Sequence, residues 1–147
     1  RSSGPQGRFW SALVYDTDDD EYVLFGGHDD DVLGNRNDTW RFSPVTGAWT
    51  QVENEDTFST DARGVCDFPP DFAEVDLELP ERRNAHSFVW SEPCGHALMF
   101  GGKTDCGSID DVWRYAGDGW SPQNYAREGE ACLRWRKDTG ECTDMCF

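Results

Sequence analysis

The pattern of apolar and polar positions predicts short β-strands joined by polar turns. Residues 9–15 read Phe-Trp-Ser-Ala-Leu-Val-Tyr, and the acidic turn 16–21 separates them from the apolar run 22–25. Short runs rich in aromatic and β-branched residues, bounded by turn-forming residues, are typical of β-hairpins. The pair Gly26-Gly27 follows directly, and it predicts a turn in which the backbone adopts positive φ and approaches its neighbours closely.

The hairpin and its glycine pair belong to a longer unit that occurs twice in the chain. After a polar loop, each copy continues with two more short strands, and each of these strands contains a tryptophan. The predicted strands are 9–15, 22–25, 37–42 and 48–52 in the first copy and 85–90, 96–100, 110–115 and 120–122 in the second. Because almost no segment has helical periodicity, the repeat predicts an all-β chain with two four-stranded antiparallel sheets.

The residues at equivalent points of the two copies carry a resemblance to a known family. They are Phe25-Gly26-Gly27, Asn37-Asp38-Thr39-Trp40 and Trp49 in the first copy, and Phe100-Gly101-Gly102, Asp110-Asp111-Val112-Trp113 and Trp120 in the second. In this order they resemble the kelch repeat, which is one four-stranded blade of a β-propeller. The resemblance implies that the glycine pair ends the second strand and that the tryptophans lie in the third and fourth strands. It also pairs His86-Ser87 with Trp10-Ser11 in the first strand.

Two blades would form only part of a ring, because propellers close with roughly 4–8 blades. Unpaired strand edges and apolar blade faces favour association, so we expect other chains, copies of this chain or the unmatched segments to complete the partial propeller. The chain divides into a first blade with an N-terminal arm (1–52), a Cys- and Pro-containing insert (53–82), a second blade (83–123) and a Cys-rich tail resembling a hairpin (124–147).

Composition restricts the partners and the compartment. With 29 acidic and 13 basic side chains, the net charge of -16 argues against nucleic acid and anionic membrane surfaces as partners. No apolar run approaches the ~20 residues that span a bilayer, so direct membrane insertion is not expected. Since the chain lacks an initiator Met and an apolar signal core, we expect that a targeting segment or an upstream region has been removed.

The six cysteines predict disulfides. They form an even set without a CxxC pair or clustered histidines, which favours disulfide bonds over a zinc site. An oxidising, extracytoplasmic location follows as a hypothesis: secreted, periplasmic or in an organelle lumen. Three bridges allow 15 connectivities, and all of them stay open. The candidate disulfide residues are Cys66, Cys94, Cys106, Cys132, Cys142 and Cys146.

Two acidic segments are candidate binding sites. Asp16, Asp18 and Asp20 place carboxylates at alternate positions, as a Ca²⁺ loop does, although a tight acidic hairpin turn explains the same residues. The second segment lies in the loop after the first glycine pair, where propellers commonly place binding residues. Its candidate partner-binding residues are Asp29, Asp30, Asp31 and Asn35.

The sequence favours binding over catalysis. It contains no nucleophile-elbow, zinc-protease or P-loop pattern, and the spacing of His28, His86 and His96 does not suit a metal pair. We therefore predict a non-catalytic structural or protein-interaction subunit without a cofactor. A carbohydrate- or Ca²⁺-binding module and a fragment of a propeller oxidase or lyase are the alternatives that remain open.

Overall fold

The structure, a computed structural model, describes residues 4–29, 34–53, 79–104, 107–117 and 119–123. Within these ranges the chain forms two four-stranded antiparallel sheets, two two-stranded ribbons and one short 3-10 turn. The predicted all-β fold class with two four-stranded antiparallel sheets is confirmed. Most of the predicted insert and all of the tail after residue 123, including the Cys-rich hairpin, lie outside the described residues.

The first sheet is a simple meander. Its strands are β1 (Ala12–Asp16), β2 (Glu21–Phe25), β5 (Thr39–Ser43) and β6 (Ala48–Glu53), with a ribbon of β3 (His28–Asp29) and β4 (Gly34–Asn35) between the second and third. The strand order β1-β2-β5-β6 means that every strand pairs with its neighbour along the main path of the chain. The β1–β2 turn is held by Asp16, whose Oδ1 accepts from the N–H groups of Asp18 at 2.9 Å and Asp19 at 3.2 Å.

The second sheet repeats this arrangement. Its elements are β7 (Ser87–Ser91), a 3-10 turn (Glu92–Cys94), β8 (His96–Phe100), a ribbon of β9 (Lys103–Thr104) and β10 (Gly107–Ser108), β11 (Val112–Ala116) and β12 (Gly119–Gln123). The strand order is again a meander, β7-β8-β11-β12. As predicted, each glycine pair directly follows the second strand of its sheet, and tryptophans lie in the third and fourth strands.

The core lies between the two sheets, because each sheet turns one apolar face toward the other. From the first sheet Val23 and Phe25 are fully buried, and from the second sheet so are Met99 and Tyr115. Trp120 joins the two faces, since its ring packs against Phe25 with centroids 4.7 Å apart. Burial of each large apolar side chain contributes roughly 1.5–3 kcal/mol, so the packing of these side chains stabilises the contact between the two sheets.

The first sheet also has an outer face, turned away from the core. Side chains alternate along each strand, so the neighbours of the buried residues point outward. A row of four aromatic rings crosses this face, with centroid distances of 5.0, 6.3 and 4.9 Å between successive members. The row consists of Tyr15, Tyr22, Phe42 and Trp49. Gly4 of the N-terminal arm packs against the Trp49 end, while Tyr15 at the other end is exposed.

Candidate functional site

Each sheet contains a buried arginine that fixes its loops. Arg8 donates to the carboxylate of Asp38 and, at 3.1 Å, to the carbonyl of Gly26. In the second sheet Arg83 donates to Asp111 and, at 3.1 Å, to the carbonyl of Gly101. Each arginine lies 18 residues before the first glycine of its pair. Sequence reasoning missed both arginines, although their constant distance from the glycines could have revealed that they anchor the loops.

The same two carboxylates also hold a tryptophan. The indole N–H of Trp40 donates to Asp38 at 2.6 Å, and that of Trp113 donates to Asp111 at 2.6 Å. A carboxylate that accepts from both a guanidinium and an indole keeps its lone pairs satisfied in a buried setting. The Asp-x-Trp sequence therefore has a direct physical role in both copies.

The two sheets meet through a segment that we call the plug, residues 83–86. The N–H of Gly27 donates to the carbonyl of Arg83 at 2.9 Å, and the N–H of Arg83 donates to the carbonyl of Arg36 at 3.2 Å. The N–H of Ala85 donates to the carbonyl of Trp10 at 2.9 Å. The plug is thus bound by backbone hydrogen bonds in a recess of the first sheet, which we call the socket.

A glycine is required in the socket because the plug approaches its backbone closely. Gly26 has φ +62°, and a Cβ at this position would lie 2.7 Å from the carbonyl oxygen of Arg83. The imidazole of His86 packs edge-on against Phe25, with ring centroids 5.4 Å apart. The socket residues are Trp10, Phe25, Gly26, Gly27 and Arg36.

His86 is neutral in this position. Burial, together with the positive charge of the neighbouring Arg83, lowers the pKa of its imidazole to about 4, against an opposing effect of Asp111. Both ring nitrogens are buried without a hydrogen-bond partner among the described residues. The side chain therefore acts here as an aromatic packing group, and it is unsuited to proton transfer near neutral pH.

The structure corrects the pairing of the first strands. The sequence comparison pairs His86 with Trp10, but the residues with left-handed backbone are Trp10 at φ 57° and Ala85 at φ 52°, so these two correspond. Ser11 then corresponds to His86. The contacts of the second glycines support this match. A Cβ on Gly27 would lie 2.9 Å from the Cβ of Ser11, and a Cβ on Gly102 would lie 2.9 Å from the Cβ of His86. The sequence pairing is wrong by one residue because it matched residue types instead of backbone conformation.

The second sheet has its own counterpart of the socket, and it is open. A cleft of about 430 Å³ is lined by Ala85, Phe100, Gly101, Gly102 and Ile109, with Ser87, Lys103 and Ser108 at its edge. Under the corrected alignment the first four of these residues correspond to Trp10, Phe25, Gly26 and Gly27. Ile109 corresponds to Arg36, because its N–H donates to the carbonyl of Gly102 at 3.1 Å as that of Arg36 does to Gly27 at 3.0 Å.

The lining of the cleft suits an extended peptide backbone. Within the described ranges, no hydrogen bond engages the N–H of Gly102 or the carbonyls of Ala85 and Ile109. Phe100, which is 53% exposed, provides an apolar wall. Unpaired backbone groups beside an apolar surface bind another chain segment by main-chain hydrogen bonds. We therefore regard the cleft as the candidate functional site.

The acidic turn 16–21 is largely occupied by internal contacts. Asp16 is buried and pairs with the guanidinium of Arg41 at 2.9 Å, and Asp19 pairs with it at 2.7 Å. Asp20 accepts from the hydroxyl of Tyr15 at 2.8 Å. Across the described part of the chain, no group of three or more His, Cys, Asp or Glu side chains is arranged to hold a metal ion. These contacts favour the hairpin-turn interpretation of Asp16, Asp18 and Asp20, and Ca²⁺ binding there stays a prediction.

The predicted partner-binding loop takes part in the contact between the two sheets. Asp29 is buried and accepts from Nε of Arg36 at 2.6 Å. Asn35 is buried, and its amide donates to the carbonyl of Lys103 at 3.3 Å. Asp30 and Asp31 lie outside the described residues, so a role of this loop in partner binding stays a prediction.

Of the six candidate disulfide cysteines, Cys94 alone lies within the described ranges, at the end of the 3-10 turn. The other five, Cys66, Cys106, Cys132, Cys142 and Cys146, lie outside them. The predicted disulfides therefore stay a prediction. The described segments contain no helix with the length and apolar character needed to cross a membrane.

Comparison with known proteins adds no assignment: no protein-family profile matches the chain, and no curated protein matches its sequence.

Proposed function

We propose that the chain is a non-catalytic structural or protein-interaction subunit, in which two kelch-like blades are completed into a propeller by other protein chains or by copies of itself. The observation that carries the proposal is a pair of outer faces. Leu13 and Tyr15 on the first sheet are 52% and 40% exposed, and Val89 and Phe100 on the second are 58% and 53% exposed. Exposed apolar patches of this kind mark sites of association.

The repeat relates these outer faces to the buried interface. Leu13 corresponds to Phe88, which is buried in the core, and Phe100 corresponds to Phe25, which is fully buried. Each outer face is therefore the equivalent of a face that the other sheet covers within this chain. A partner with the same kind of face would bury these side chains in the same way.

The wider setting of the proposal comes from the sequence. Six cysteines support a disulfide-stapled subunit in an extracytoplasmic or lumenal compartment. The net charge of -16 supports protein partners over nucleic acid. Buried ion pairs fix the described loop residues of each sheet, whereas apolar side chains on the outer faces remain exposed and need a neighbour.

Hydroxyl-radical footprinting would test the proposal. Side-chain oxidation at Tyr15 and Phe100 would be compared between the chain diluted until it is monomeric and the protein kept in its native assembly. We expect strong protection of both residues in the assembly. Val45, which is 89% exposed on the β5–β6 turn, should react equally in both samples and serves as the internal control. Equal oxidation of Tyr15 and Phe100 in both samples would refute the proposal.

A carbohydrate-binding module is the second candidate, and one cluster favours it. The ring of Phe9 contacts Trp10 at 4.6 Å and His28 at 5.2 Å. Trp10 is 64% exposed although its backbone has left-handed φ, an unfavourable conformation for a bulky residue. Saturation-transfer NMR with oligosaccharides should give signals that Trp10→Ala abolishes if this candidate is correct. An unchanged spectrum on substitution would remove it.

A further inference from the structure

We infer that the open cleft of the second sheet receives residues 8–11 of a second copy of this chain, so that copies join head to tail. The inference rests on the proposed function and names the partner. It starts from the internal junction, where residues 83–86 fill the socket of the first sheet. The cleft is the counterpart of that socket, and residues 8–11 are the counterpart of the plug.

Residues 8–11 already have the conformation of the plug. The Nε of Arg8 donates to the carbonyl of Gln6 at 3.1 Å, as that of Arg83 donates to Glu81 at 2.8 Å. Trp10 has the left-handed backbone of Ala85, with φ 57° against 52°. The ion pair with Asp38 anchors the segment to its own sheet. Little conformational entropy would therefore be lost when the segment docks.

Three backbone hydrogen bonds would form if the internal junction is repeated between copies. The N–H of Gly102 would donate to the carbonyl of Arg8, and the N–H of Arg8 would donate to the carbonyl of Ile109. The N–H of Trp10 would donate to the carbonyl of Ala85. None of these six groups has a hydrogen-bond partner in the part of the chain that the structure describes.

Docking of residues 8–11 in the cleft would also bring the outer face of one copy's first sheet against the outer face of the next copy's second sheet. In the internal junction β1 packs against β7 and β8. Repeated between copies, this packing would bring the β1 side chains Leu13 and Tyr15 against the exposed Val89 and Phe100. Ser11 would take the place that His86 occupies beside Phe25, and the smaller side chain fits without displacing Phe100. The contact would therefore extend an interface that already exists within the chain.

A second copy of the chain is the favoured occupant of the cleft, because each copy carries both of the complementary surfaces. One copy carries the plug counterpart and the Leu13 face, and it also carries the open cleft and the Phe100 face. Such a contact is heterologous, and it closes into a ring when the rotation allows. With two sheets in each copy and roughly 4–8 blades in a closed propeller, about two to four copies would complete the ring.

Charge-bearing variants of the two faces provide the test. Native mass spectrometry of the wild-type chain should give a multiple of 16.7 kDa. Leu13→Asp and Phe100→Asp should each give monomers, because either substitution would bury a charge in the contact. Val45→Asp places a charge on an equally apolar but unrelated exposed residue, and this control should assemble like the wild type.

Mixing the two face variants gives a stricter test. The Phe100→Asp copy retains an intact Leu13 face, and the Leu13→Asp copy retains an intact Phe100 face, while the two substituted faces carry like charges and repel each other. An equimolar mixture should therefore form a heterodimer with one junction and nothing larger. A mixture that stays monomeric, or a wild-type chain that is monomeric at about 50 µM, far above the nM–µM Kd range of specific interfaces, would overturn the inference.

The cleft itself is tested by filling it. Ser108 is exposed at the cleft edge, and Ser108→Trp should block docking without touching the core. Near-UV circular dichroism would confirm that each variant keeps the wild-type fold. Assembly of a folded Ser108→Trp chain at wild-type affinity would count against docking in the cleft. A monomeric wild-type chain whose Tyr15 and Phe100 are nevertheless protected in the native assembly would refute the second copy while leaving the proposed function intact.

Discussion

The buried His86 gives the fold a pH dependence whose sign and size can be worked out. Its pKa is lowered from 6.5 to about 4 in the folded protein, chiefly because burial disfavours the imidazolium. Between these two values the unfolded chain binds more protons than the folded one, so the free energy of unfolding rises with pH. The contribution of the neutral His86 to the free energy of unfolding is fully present above pH 6.5, and it is lost as the pH falls toward 4.

The expected magnitude follows from the size of the shift. A pKa change of one unit corresponds to about 1.4 kcal/mol, so the change from 6.5 to about 4 is equivalent to about 3 kcal/mol. The substitution His86→Phe removes the titrating group and keeps an aromatic ring against Phe25. Carboxylates elsewhere in the chain also change the free energy of unfolding in this pH range, but they do so equally in the wild type and the variant.

Urea unfolding of both proteins at a series of pH values from 7.5 to 4 measures the effect. We expect the stability difference, wild type minus His86→Phe, to fall by about 3 kcal/mol over this range, mostly below pH 6.5. The buried nitrogens without partners also predict that the variant is at least as stable as the wild type at pH 7.5. A difference that stays constant within about 0.5 kcal/mol would refute the reasoning, since an ordinary histidine pKa would leave no such linkage.

Three further predictions concern the junction and the assembly. Gly26→Ala should cost roughly 2 kcal/mol more than Gly47→Ala in urea unfolding, because both glycines have positive φ but only the first would place its Cβ 2.7 Å from a carbonyl oxygen. Arg83→Met should lower the free energy of unfolding by about 3–5 kcal/mol by leaving Asp111 without its cation, and a loss below about 1 kcal/mol would contradict this. Copies with a charge of -16 repel one another, so sedimentation equilibrium should show tighter self-association as NaCl is raised, and weaker association would contradict the proposed contact.

Much of the fold could be predicted because its determinants are local. Strand residues alternate, the turns contain glycine or aspartate, and the glycine pairs mark the end of the second strand in each sheet. The acidic turn 16–21 illustrates the limit. Its carboxylates fit both a Ca²⁺ loop and a tight hairpin turn, and the sequence does not show that Asp16 turns inward to hold the backbone and to pair with Arg41. Such a pairing depends on a strand that is 25 residues away in the sequence.

The candidate site was harder to predict because it depends on correspondence in space. The amino-acid sequence around Ala85 and Ile109 has no pattern that predicts a recess. The cleft becomes recognisable only when the left-handed residues Trp10 and Ala85 are matched, since that match shows which segment fills the equivalent recess in the first sheet. Residue types misled the alignment here, because histidine and serine occupy the same backbone position in the two copies.

The distribution of polar contacts explains why this chain should depend on neighbours. Within each sheet an arginine, an aspartate and a tryptophan bind one another and fix the described part of the loop after the glycine pair. Within the described ranges the two sheets share a single junction, and apolar side chains on the outer faces stay exposed. In repeat proteins much of the stability comes from the contacts between neighbouring units. A chain with two units and one such contact therefore gains the most from a further junction, and its melting temperature should rise with protein concentration as copies associate.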